Sequence, residues 1–304
     1  MPELPEVQTT VNYLNRAHIL CARFVDVWSD WEKTIKKPKY FSQFKKDIKN
    51  KKIKRIWRRA KNVIFDLSDR YSLLVHQKMT GHLLVGNWQL ASGHWLPVDK
   101  KSALNDPYNR FLHLIFFLDN PLSRKATGGR SGKMLALSDV RKFAKVELWK
   151  TDELLNSKEF KKIGPEPLDK NFTFEKFKKA LDGKKVKVKQ VLMNPEIIAG
   201  IGNIYASEIL WQSKIHPEKS VAKLDEKELK LLYQNIKKVL SLAVKLGGES
   251  FSDYRKPDGT KGGFDIERKA YKREGQKCSR CGTKIKRIKV GQRSAFFCPH
   301  CQKI

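Results

Sequence analysis

Four of the five cysteines of this 304-residue chain lie in its last 30 residues. They form two pairs, Cys278 with Cys281 and Cys298 with Cys301, with sixteen residues between the pairs. Two such knuckles can present four thiolates in the tetrahedral arrangement of a structural Zn²⁺ site. His300 is a weaker candidate ligand, since Cys298 and Cys301 already complete the set. Four thiolates leave no position for a water ligand, so we expect one structural zinc ion.

The residues between the two cysteine pairs include several β-branched and aromatic side chains and a turn signal at Gly291. This pattern predicts a β-hairpin within the finger. Gln292 and Arg293 fall at the tip of the hairpin, so we expect Arg293 at a turn.

Pro2 and Glu3, the residues after the initiator methionine, could form a catalytic pair. Removal of Met1 would expose the secondary amine of Pro2, which has an unperturbed pKa of about 8 and is nucleophilic when unprotonated. Its attack on an aldehyde-like sugar carbon would give an iminium, while the carboxylate of Glu3 could shuttle protons. The alternative is that Pro2 only governs amino-terminal processing.

The chain is strongly basic, with 63 lysines and arginines against 32 acidic residues and a formal net charge of +31. Such an excess predicts a polyanionic partner. Basic clusters at 45–46, 49–55 and 58–59 would neutralise phosphates, so binding should weaken steeply as salt rises. A solvated basic surface without a specific partner is the alternative that charge alone leaves open.

The sequence shows no pattern typical of a secretory signal or a membrane span. The opening Met1–Glu6 is acidic and contains prolines, unlike the basic and then apolar start of a secretory signal. The longest apolar stretch, 111–118, contains His113 and is too short to span a bilayer. We therefore expect a cytosolic protein in a reducing compartment, where clustered cysteines bind metal rather than form disulfides.

The amino-terminal half has the pattern of a β-rich domain with an opening helix. Pro5 suits a first helical turn, and Val7, Val11 and Leu14 recur at helical spacing. The following residues contain short β-type segments, which predict a β-sandwich or barrel. These segments are 53–57, 63–67, 72–76, 111–118, 134–137 and 145–149. Residues 87–109 interrupt them, and we expect an extended loop or insertion there, too mixed for a clean strand pair.

Helical patterns follow the proline-rich turn at 164–167. Apolar spacing predicts helices near 174–181 and up to Met193, and Asp225 with Glu228 fits a capping box before a long helix. The pattern therefore places a boundary between a β domain and a helical domain at this turn.

A glycine pair, Gly200 and Gly202, precedes Asn203 and the start of another helix. Backbone N–H groups at a helix start can face a phosphate, with Asn203 as the capping residue. With the turn at 194–195, the segment predicts two helices joined by a compact double turn, a geometry suited to clamping one DNA strand. An ordinary helical hairpin is the alternative for this segment.

Four motifs are spread over nearly the whole chain. They are Pro2-Glu3-Leu4-Pro5-Glu6-Val7, His76-x-x-Met79-Thr80-Gly81, Gly200-Ile201-Gly202-Asn203-Ile204-Tyr205-Ala206-Ser207-Glu208 and the four-cysteine finger. In their residues and in their order, these motifs resemble the formamidopyrimidine-DNA glycosylase (Fpg/Nei) family.

Together, the patterns and the resemblance predict an α+β protein of two domains. The amino-terminal domain would be a catalytic β-sandwich with an opening helix, and the carboxyl-terminal one a helix-two-turns-helix domain with a zinc-finger hairpin. The predicted ranges are 1–150 for the sandwich, 151–165 for a hinge, 166–270 for the helical domain and 271–304 for the finger.

The resemblance implies a bifunctional DNA glycosylase and AP lyase that removes oxidised purines, such as 8-oxoguanine and formamidopyrimidines, from double-stranded DNA. Pro2 would attack C1′ of the damaged nucleotide, with Glu3 as proton donor and acceptor. β,δ-Elimination through the iminium would then cut the strand. Lys61 would contact phosphate and polarise the site, and Arg293 would grip the DNA and assist the second elimination.

The resemblance also implies a set of DNA contacts. Residues that would bind the flanking phosphates or the substrate are Asn203, Lys189 and Lys142. Residues that would fill the stack after the damaged base has flipped out are Met79, Arg141 and Phe143. Lys142 stands where members often carry a second arginine, which weakens any bidentate phosphate contact. Arg141 suits an orphaned cytosine and so favours damaged guanine as the substrate.

Two alternatives remain at this point: a Nei-type glycosylase for oxidised pyrimidines, and a non-catalytic zinc-ribbon binder of nucleic acid. The filling set argues against the first, and the Pro2-Glu3 terminus is unexplained by the second. The segment 249–263, expected to cover the flipped base, departs from the commoner lysine-bearing version and leaves the lesion spectrum open. We expect a monomer.

Overall fold

The computed structural model describes residues 1–119, 133–250 and 253–304. These residues form two compact units, Met1–Lys161 with Gly247–Gly262 and Lys162–Leu246 with Gly263–Ile304. The chain first passes from one unit to the other after Lys161, inside the range 151–165 that was predicted as a hinge. Residues 247–262 belong to the first unit, although the sequence pattern placed them with the helices.

The first unit opens with helix α1 (Leu4–Arg16). Pro5 lies in its first turn, where a missing backbone N–H costs no helical hydrogen bond. Val7, Val11 and Leu14 are buried on the face that contacts the core, which confirms the predicted apolar stripe.

Two sheets and helix α2 (Phe41–Ile48) complete the body of this unit. The strands are β1 (Arg23–Ser29), β2 (Ile35–Lys37), β3 (Ile53–Arg59), β4 (Asn62–Leu67), β5 (Tyr71–His76), β6 (His82–Gly86), β7 (Trp88–Ala91), β8 (His94–Pro97), β9 (Leu112–Asp119), β10 (Met134–Ser138) and β11 (Lys145–Lys150). One sheet has the order β1-β9-β10-β6, and the other has the order β2-β11-β5-β4-β3.

The core lies between the two sheets. Because successive side chains of a strand point to opposite faces, alternate residues of each sheet meet there. Phe24 and Phe116 of the first sheet share one buried cluster with Leu73 and Val75 of the second. Of the two predicted architectures, sandwich and barrel, the structure has the sandwich.

Residues 87–110 cover the outer face of the four-stranded sheet. Trp88 and Leu104 are buried in a cluster on that face. The expectation that no clean strand pair forms here was wrong, because β7 and β8 pair in an antiparallel hairpin. Ser92 and Gly93 supply the positive φ angles, 49° and 78°, that a two-residue hairpin turn requires. Two short 3-10 turns follow, Ala103–Asn105 and Pro107–Asn109.

The range 151–165 begins with two short helices, α3 (Thr151–Asn156) and α4 (Lys158–Lys161). Leu154 of α3 packs on Ile64 and Leu74, on the outer face of the five-stranded sheet. These helices therefore form a layer of the first unit rather than an unstructured connection.

The second unit contains four further helices in its described part, followed by a hairpin. They are α5 (Phe174–Leu181), α6 (Val188–Met193), α7 (Asn203–Ser213), α8 (Glu226–Lys245), β12 (Lys286–Val290) and β13 (Arg293–Phe297). Nearly every residue of α7 is buried, so it is the central helix of this unit. Helix α8 begins with the predicted capping box of Asp225 and Glu228.

In the described ranges, none of the helices combines the length and the apolar character that crossing a membrane requires.

Candidate functional site

The amino-terminal pair lies at the start of α1. Pro2 is buried and Glu3 is 2% exposed, while Met1 remains 43% exposed. As long as Met1 is attached, the Pro2 nitrogen is an amide and cannot act as a nucleophile. An exposed Met1 is accessible to removal, which would leave the amine at the head of the helix.

Glu6 holds this terminus in place. Its Oε2 accepts a hydrogen bond of 2.7 Å from the Glu3 N–H, and its Oε1 accepts one of 2.8 Å from the Glu249 N–H. The carboxylate is 1% exposed. Glu6 therefore connects the start of α1 with the segment 247–262, a role that the sequence did not indicate.

Lys61 follows the turn between β3 and β4, where Ala60 has a φ of 51°. It is half-buried and is one of three cations, with Lys78 and Lys145, that act on His76. Burial and these charges lower the pKa of His76 to about 3. His76 is therefore neutral near pH 7, and its Nδ1 accepts the Lys78 N–H at 3.0 Å. This edge of the sheet presents positive charge, which suits an anionic ligand.

Met79, Arg141 and Phe143, predicted as one group, lie together. The Nη1 of Arg141 donates to the Met79 sulfur at 3.2 Å, and the guanidinium lies 4.7 Å from the centre of the Phe143 ring. Met79 and Phe143 are 41% and 51% exposed. Large apolar side chains exposed beside a guanidinium are suited to enter a base stack and pair with the unstacked partner.

Asp139 and Thr80 position this group. Asp139 is 2% exposed and accepts a very short hydrogen bond from the Thr80 hydroxyl and one of 2.7 Å from the Ala144 N–H. The Arg141 N–H in turn donates to Thr80 Oγ1 at 3.2 Å. Thr80 belongs to one of the quoted motifs, but the sequence indicated no positioning role for either residue. An aspartate at the start of a turn was the available signal.

Lys142 has a different environment. Its φ is 58°, and its ammonium nitrogen lies 4.8 Å from the centre of the Trp31 ring. The side chain is thus directed at Trp31, so the structure does not group it with the three filling residues.

In the second unit, Lys189 is 1% exposed. Its Nζ donates to the Ser294 carbonyl at 2.7 Å and to the Ser207 hydroxyl at 3.3 Å. A buried ammonium group requires such partners. Lys189 therefore ties α6 to α7 and β13, next to the exposed Arg293. A direct contact between Lys189 and DNA stays a prediction.

Asn203 is the first residue of α7, and Gly202 rather than Asn203 occupies the N-cap position. The buried Oδ1 of Asn203 has no hydrogen-bond partner among the described residues. Gly200 has a φ of 85°, which lets the chain turn into the helix. The arrangement leaves a polar side chain and helix N–H groups at one point, a combination that can bind phosphate.

The four predicted cysteines converge in the finger. Their sulfur atoms all lie within 4.8 Å of one another, and Cys281 Sγ is 3.4 Å from Cys298 Sγ. Zinc–sulfur bonds of about 2.3 Å place the sulfurs of a tetrahedral site roughly 3.8 Å apart. Burial and the neighbouring thiols raise the pKa of Cys301 to about 12. Four thiolates can coexist here only around a cation, so the cluster fits one structural zinc ion.

Trp211 and Arg280 attach the finger to α7. The Trp211 ring lies in one buried cluster with Cys278 and Cys298 of the finger. The Arg280 guanidinium lies 3.7 Å from the Trp211 ring centre and donates to the Trp211 carbonyl at 2.6 Å. The cysteine spacing predicted the zinc site but gave no signal for this attachment.

Three models of known protein families together match almost the whole chain. Residues 1–146 match the formamidopyrimidine-DNA glycosylase N-terminal domain, and residues 163–255 match the H2TH domain of the same enzyme. Residues 275–304 match a zinc finger found in FPG and IleRS. The order of these matches is the order of the elements described above.

Individual relatives extend over the same length. The formamidopyrimidine-DNA glycosylase of Ligilactobacillus salivarius is 38% identical over 305 residues, covering 100% of this chain and 99% of the relative. The Fpg of Lactococcus lactis in complex with abasic-site DNA superposes with a TM-score of 0.82 at 34% identity, covering 99% and 100% of the two chains. A complex of that species' Fpg with Fapy-dG DNA gives 0.81 at 33%, with the same coverage. The chain belongs to the formamidopyrimidine-DNA glycosylase family.

Proposed function

We propose that this protein is a bifunctional DNA glycosylase and AP lyase of base excision repair that removes oxidised purines from double-stranded DNA. The observation that carries the proposal is the Pro2-Glu3 pair, buried at the head of α1 in a chain of this family. Relatives solved with abasic-site and Fapy-dG DNA support the substrate class.

The first step is displacement of the damaged base. The lone pair of the Pro2 nitrogen, freed by loss of Met1, bonds to C1′ while the bond from C1′ to the base breaks. The base leaves with that electron pair and takes up a proton, while the Glu3 carboxylate accepts the proton that the new ammonium nitrogen of Pro2 loses. Glu3 then protonates O4′, which opens the sugar and gives the iminium.

Strand cleavage follows from the same iminium. The Glu3 carboxylate accepts the C2′ proton, and the 3′ phosphate leaves in the β-elimination. A second proton loss, at C4′, expels the 5′ phosphate in the δ-elimination. We assign Arg293 to this second step because a guanidinium on an exposed hairpin tip can hold the leaving phosphate.

The remaining candidate residues bind DNA. Lys61 and Asn203 are assigned to phosphates, and Lys189 and Lys142 to weaker or indirect contacts, given their present partners. The filling residues Met79, Arg141 and Phe143 would occupy the space left by the flipped base. Since Arg141 can donate to cytosine, we favour lesions of guanine. A role on chromosomal DNA predicts a monomer in the bacterial cytosol.

Borohydride trapping on duplexes tests the proposal. One duplex carries 8-oxoguanine opposite cytosine and the other an oxidised pyrimidine opposite adenine. We expect a covalent adduct with the purine lesion, blocked at Pro2 in amino-terminal sequencing. Pro2→Gly and a Met1-retaining form should abolish trapping while sparing DNA affinity, and Pro5→Ala, which leaves the amine intact, serves as the matched control.

Other results would redirect the assignment. An adduct with the pyrimidine lesion alone would assign the chain to the Nei branch. Tight DNA binding without any adduct, despite a verified free Pro2, would indicate a non-catalytic binder. Normal trapping by the Met1-retaining form would refute the nucleophile.

A further inference from the structure

The inserted residues 99–110 of the first unit lie against residues 253–262 of the same unit. We call the first stretch the brace and the second the loop. The Arg255 guanidinium nitrogen Nε lies 3.0 Å from Asp106 Oδ2, and its Cζ lies 4.5 Å from the centre of the Tyr108 ring. Arg255 is 2% exposed. A cation is rarely buried this completely without a specific partner, so the brace fixes the position of Arg255.

A second contact joins the Asn109 side chain to the backbones of both stretches. Asn109, 1% exposed, donates from Nδ2 to the Gly259 carbonyl at 3.2 Å and to the Ala103 carbonyl at 3.0 Å. Gly259 has a φ of 87°, and a Cβ atom there would lie 2.6 Å from the Ala103 carbonyl. Only glycine allows this approach, so the turn of the loop rests directly on the brace.

The loop is also joined to the sheet and closed on itself. The Val85 N–H of β6 donates to the Pro257 carbonyl at 2.8 Å. Within the loop, the Lys256 N–H donates to the Thr260 carbonyl at 2.8 Å. The loop is thus held on one side by β6 and on the other by the brace.

The same asparagine extends the network toward the filling residues. Asn109 Oδ1 lies 3.0 Å from His82 Nε2, and burial lowers the pKa of His82 to about 4. The imidazole is therefore neutral, and Nε2 donates because the Asn109 amide nitrogen is engaged with carbonyls. His82 lies two residues after Thr80, which bonds to Asp139 and accepts the Arg141 N–H.

We propose that the brace is a positioning device that holds the loop ready to cover the damaged base, with Asp106, Asn109 and Arg255 as positioning residues. The inference rests on the proposed function and on the expectation, implied by the resemblance, that the segment containing residues 253–262 covers the flipped base. If the loop is already ordered before DNA binds, the entropic cost of ordering it is avoided during recognition. Recognition of a base should therefore depend on the brace, whereas cleavage at a preformed abasic site, which has no base to cover, should not.

The test uses the full-length protein and three single variants, Asp106→Asn, Asn109→Ala and Arg255→Gln. Leu90→Ala, on the exposed face of the β7–β8 hairpin, is the matched control in the same insertion. Amide hydrogen exchange at Val85, Lys256 and Gly259 reports the contact itself. Single-turnover excision of 8-oxoguanine is compared with strand cleavage of abasic-site DNA, at a temperature where every variant is folded.

We expect exchange at the three amides to accelerate in the brace variants and to stay unchanged in Leu90→Ala. Excision should slow by about tenfold while abasic-site cleavage stays within about twofold, as expected for lost pre-organisation. A double variant that exchanges the two charges, Asp106→Arg with Arg255→Asp, should excise faster than either of its single variants. A loss of packing alone would not give this recovery.

Unchanged exchange in all three variants would overturn the proposal, as would an equal fall in excision and abasic-site cleavage. Faster exchange with a normal excision rate would also overturn it, since the loop would then be held without consequence. If the unmodified protein processes neither duplex, the proposed function fails instead, and the exchange data still decide whether the brace orders the loop.

Discussion

Replacement of Asp139 by alanine should loosen the surface that carries the filling residues. The carboxylate is the shared acceptor for the Thr80 hydroxyl and the Ala144 N–H. Its loss leaves both donors buried without that partner, and an unsatisfied buried donor costs roughly 1–3 kcal/mol. We therefore expect the free energy of unfolding to fall by about 3 kcal/mol, which is the cost of two such donors less the gain from no longer burying a charged carboxylate.

The functional consequence follows from where the donors lie. Thr80 is adjacent to Met79, and its Oγ1 also accepts the Arg141 N–H. When Thr80 is no longer held by Asp139, both side chains gain freedom, so excision should fall more than DNA affinity. We expect an excision rate lower by about tenfold, the factor that a 1.4 kcal/mol loss of positioning gives.

Urea unfolding and single-turnover excision measure the two effects. Asp139→Asn keeps one acceptor oxygen and should cost only about 1 kcal/mol. Thr80→Val removes the other partner, and the double variant with Asp139→Ala should show a coupling energy above about 0.5 kcal/mol. A free energy of unfolding for Asp139→Ala within about 0.5 kcal/mol of the parent would refute the reasoning.

Three further predictions address the metal, pH and the second elimination. Chelation of the zinc should unfold the finger hairpin and lower DNA affinity by at least about tenfold while leaving the first unit folded, as hydrogen exchange would show; full affinity in a variant with all four cysteines changed to serine would contradict this. Because the folded pKa of His82, about 4, lies below its ordinary 6.5, the protein should lose about 1.5 kcal/mol of stability between pH 6.5 and pH 5. His82→Gln should lose less over that range, and an identical loss in urea titrations would exclude His82 as the cause. Arg293→Ala should accumulate the β-elimination product on denaturing gels, and a normal δ product would remove Arg293 from that step.

The parts of the molecule that the sequence predicted are those with local signals. Pro5 and the apolar period fixed the start and the face of α1, and the spacing of the cysteines identified the metal site. The β-type segments indicated a sandwich or barrel because alternation reports burial of one strand face. Each of these signals is contained within a short stretch of chain.

The parts that the sequence did not predict depend on contacts between distant residues. Asn109 and Gly259 are 150 residues apart, and nothing local to either residue indicates the other. Asp106 lies in the segment predicted as a loop or insertion, where it caps a short turn by accepting the Tyr108 N–H, and this local role gives no sign of its contact with Arg255. The burial of Lys189 was also not predictable, because a lysine in a basic chain is expected in solvent and here is buried.

Buried cations change what the net charge means for DNA binding. Arg255 and Lys189 contribute to the charge of +31, yet each is at most 2% exposed and is engaged with protein groups. Other cations lie in surface ion pairs, such as Lys178 with Glu226. For each phosphate contact, the logarithm of the binding constant falls by about 0.9 for a tenfold rise in salt. Only cations that reach the DNA contribute to this slope. The salt slope should therefore be far smaller than the net charge, and it should stay unchanged in Arg255→Gln while decreasing in Lys61→Ala.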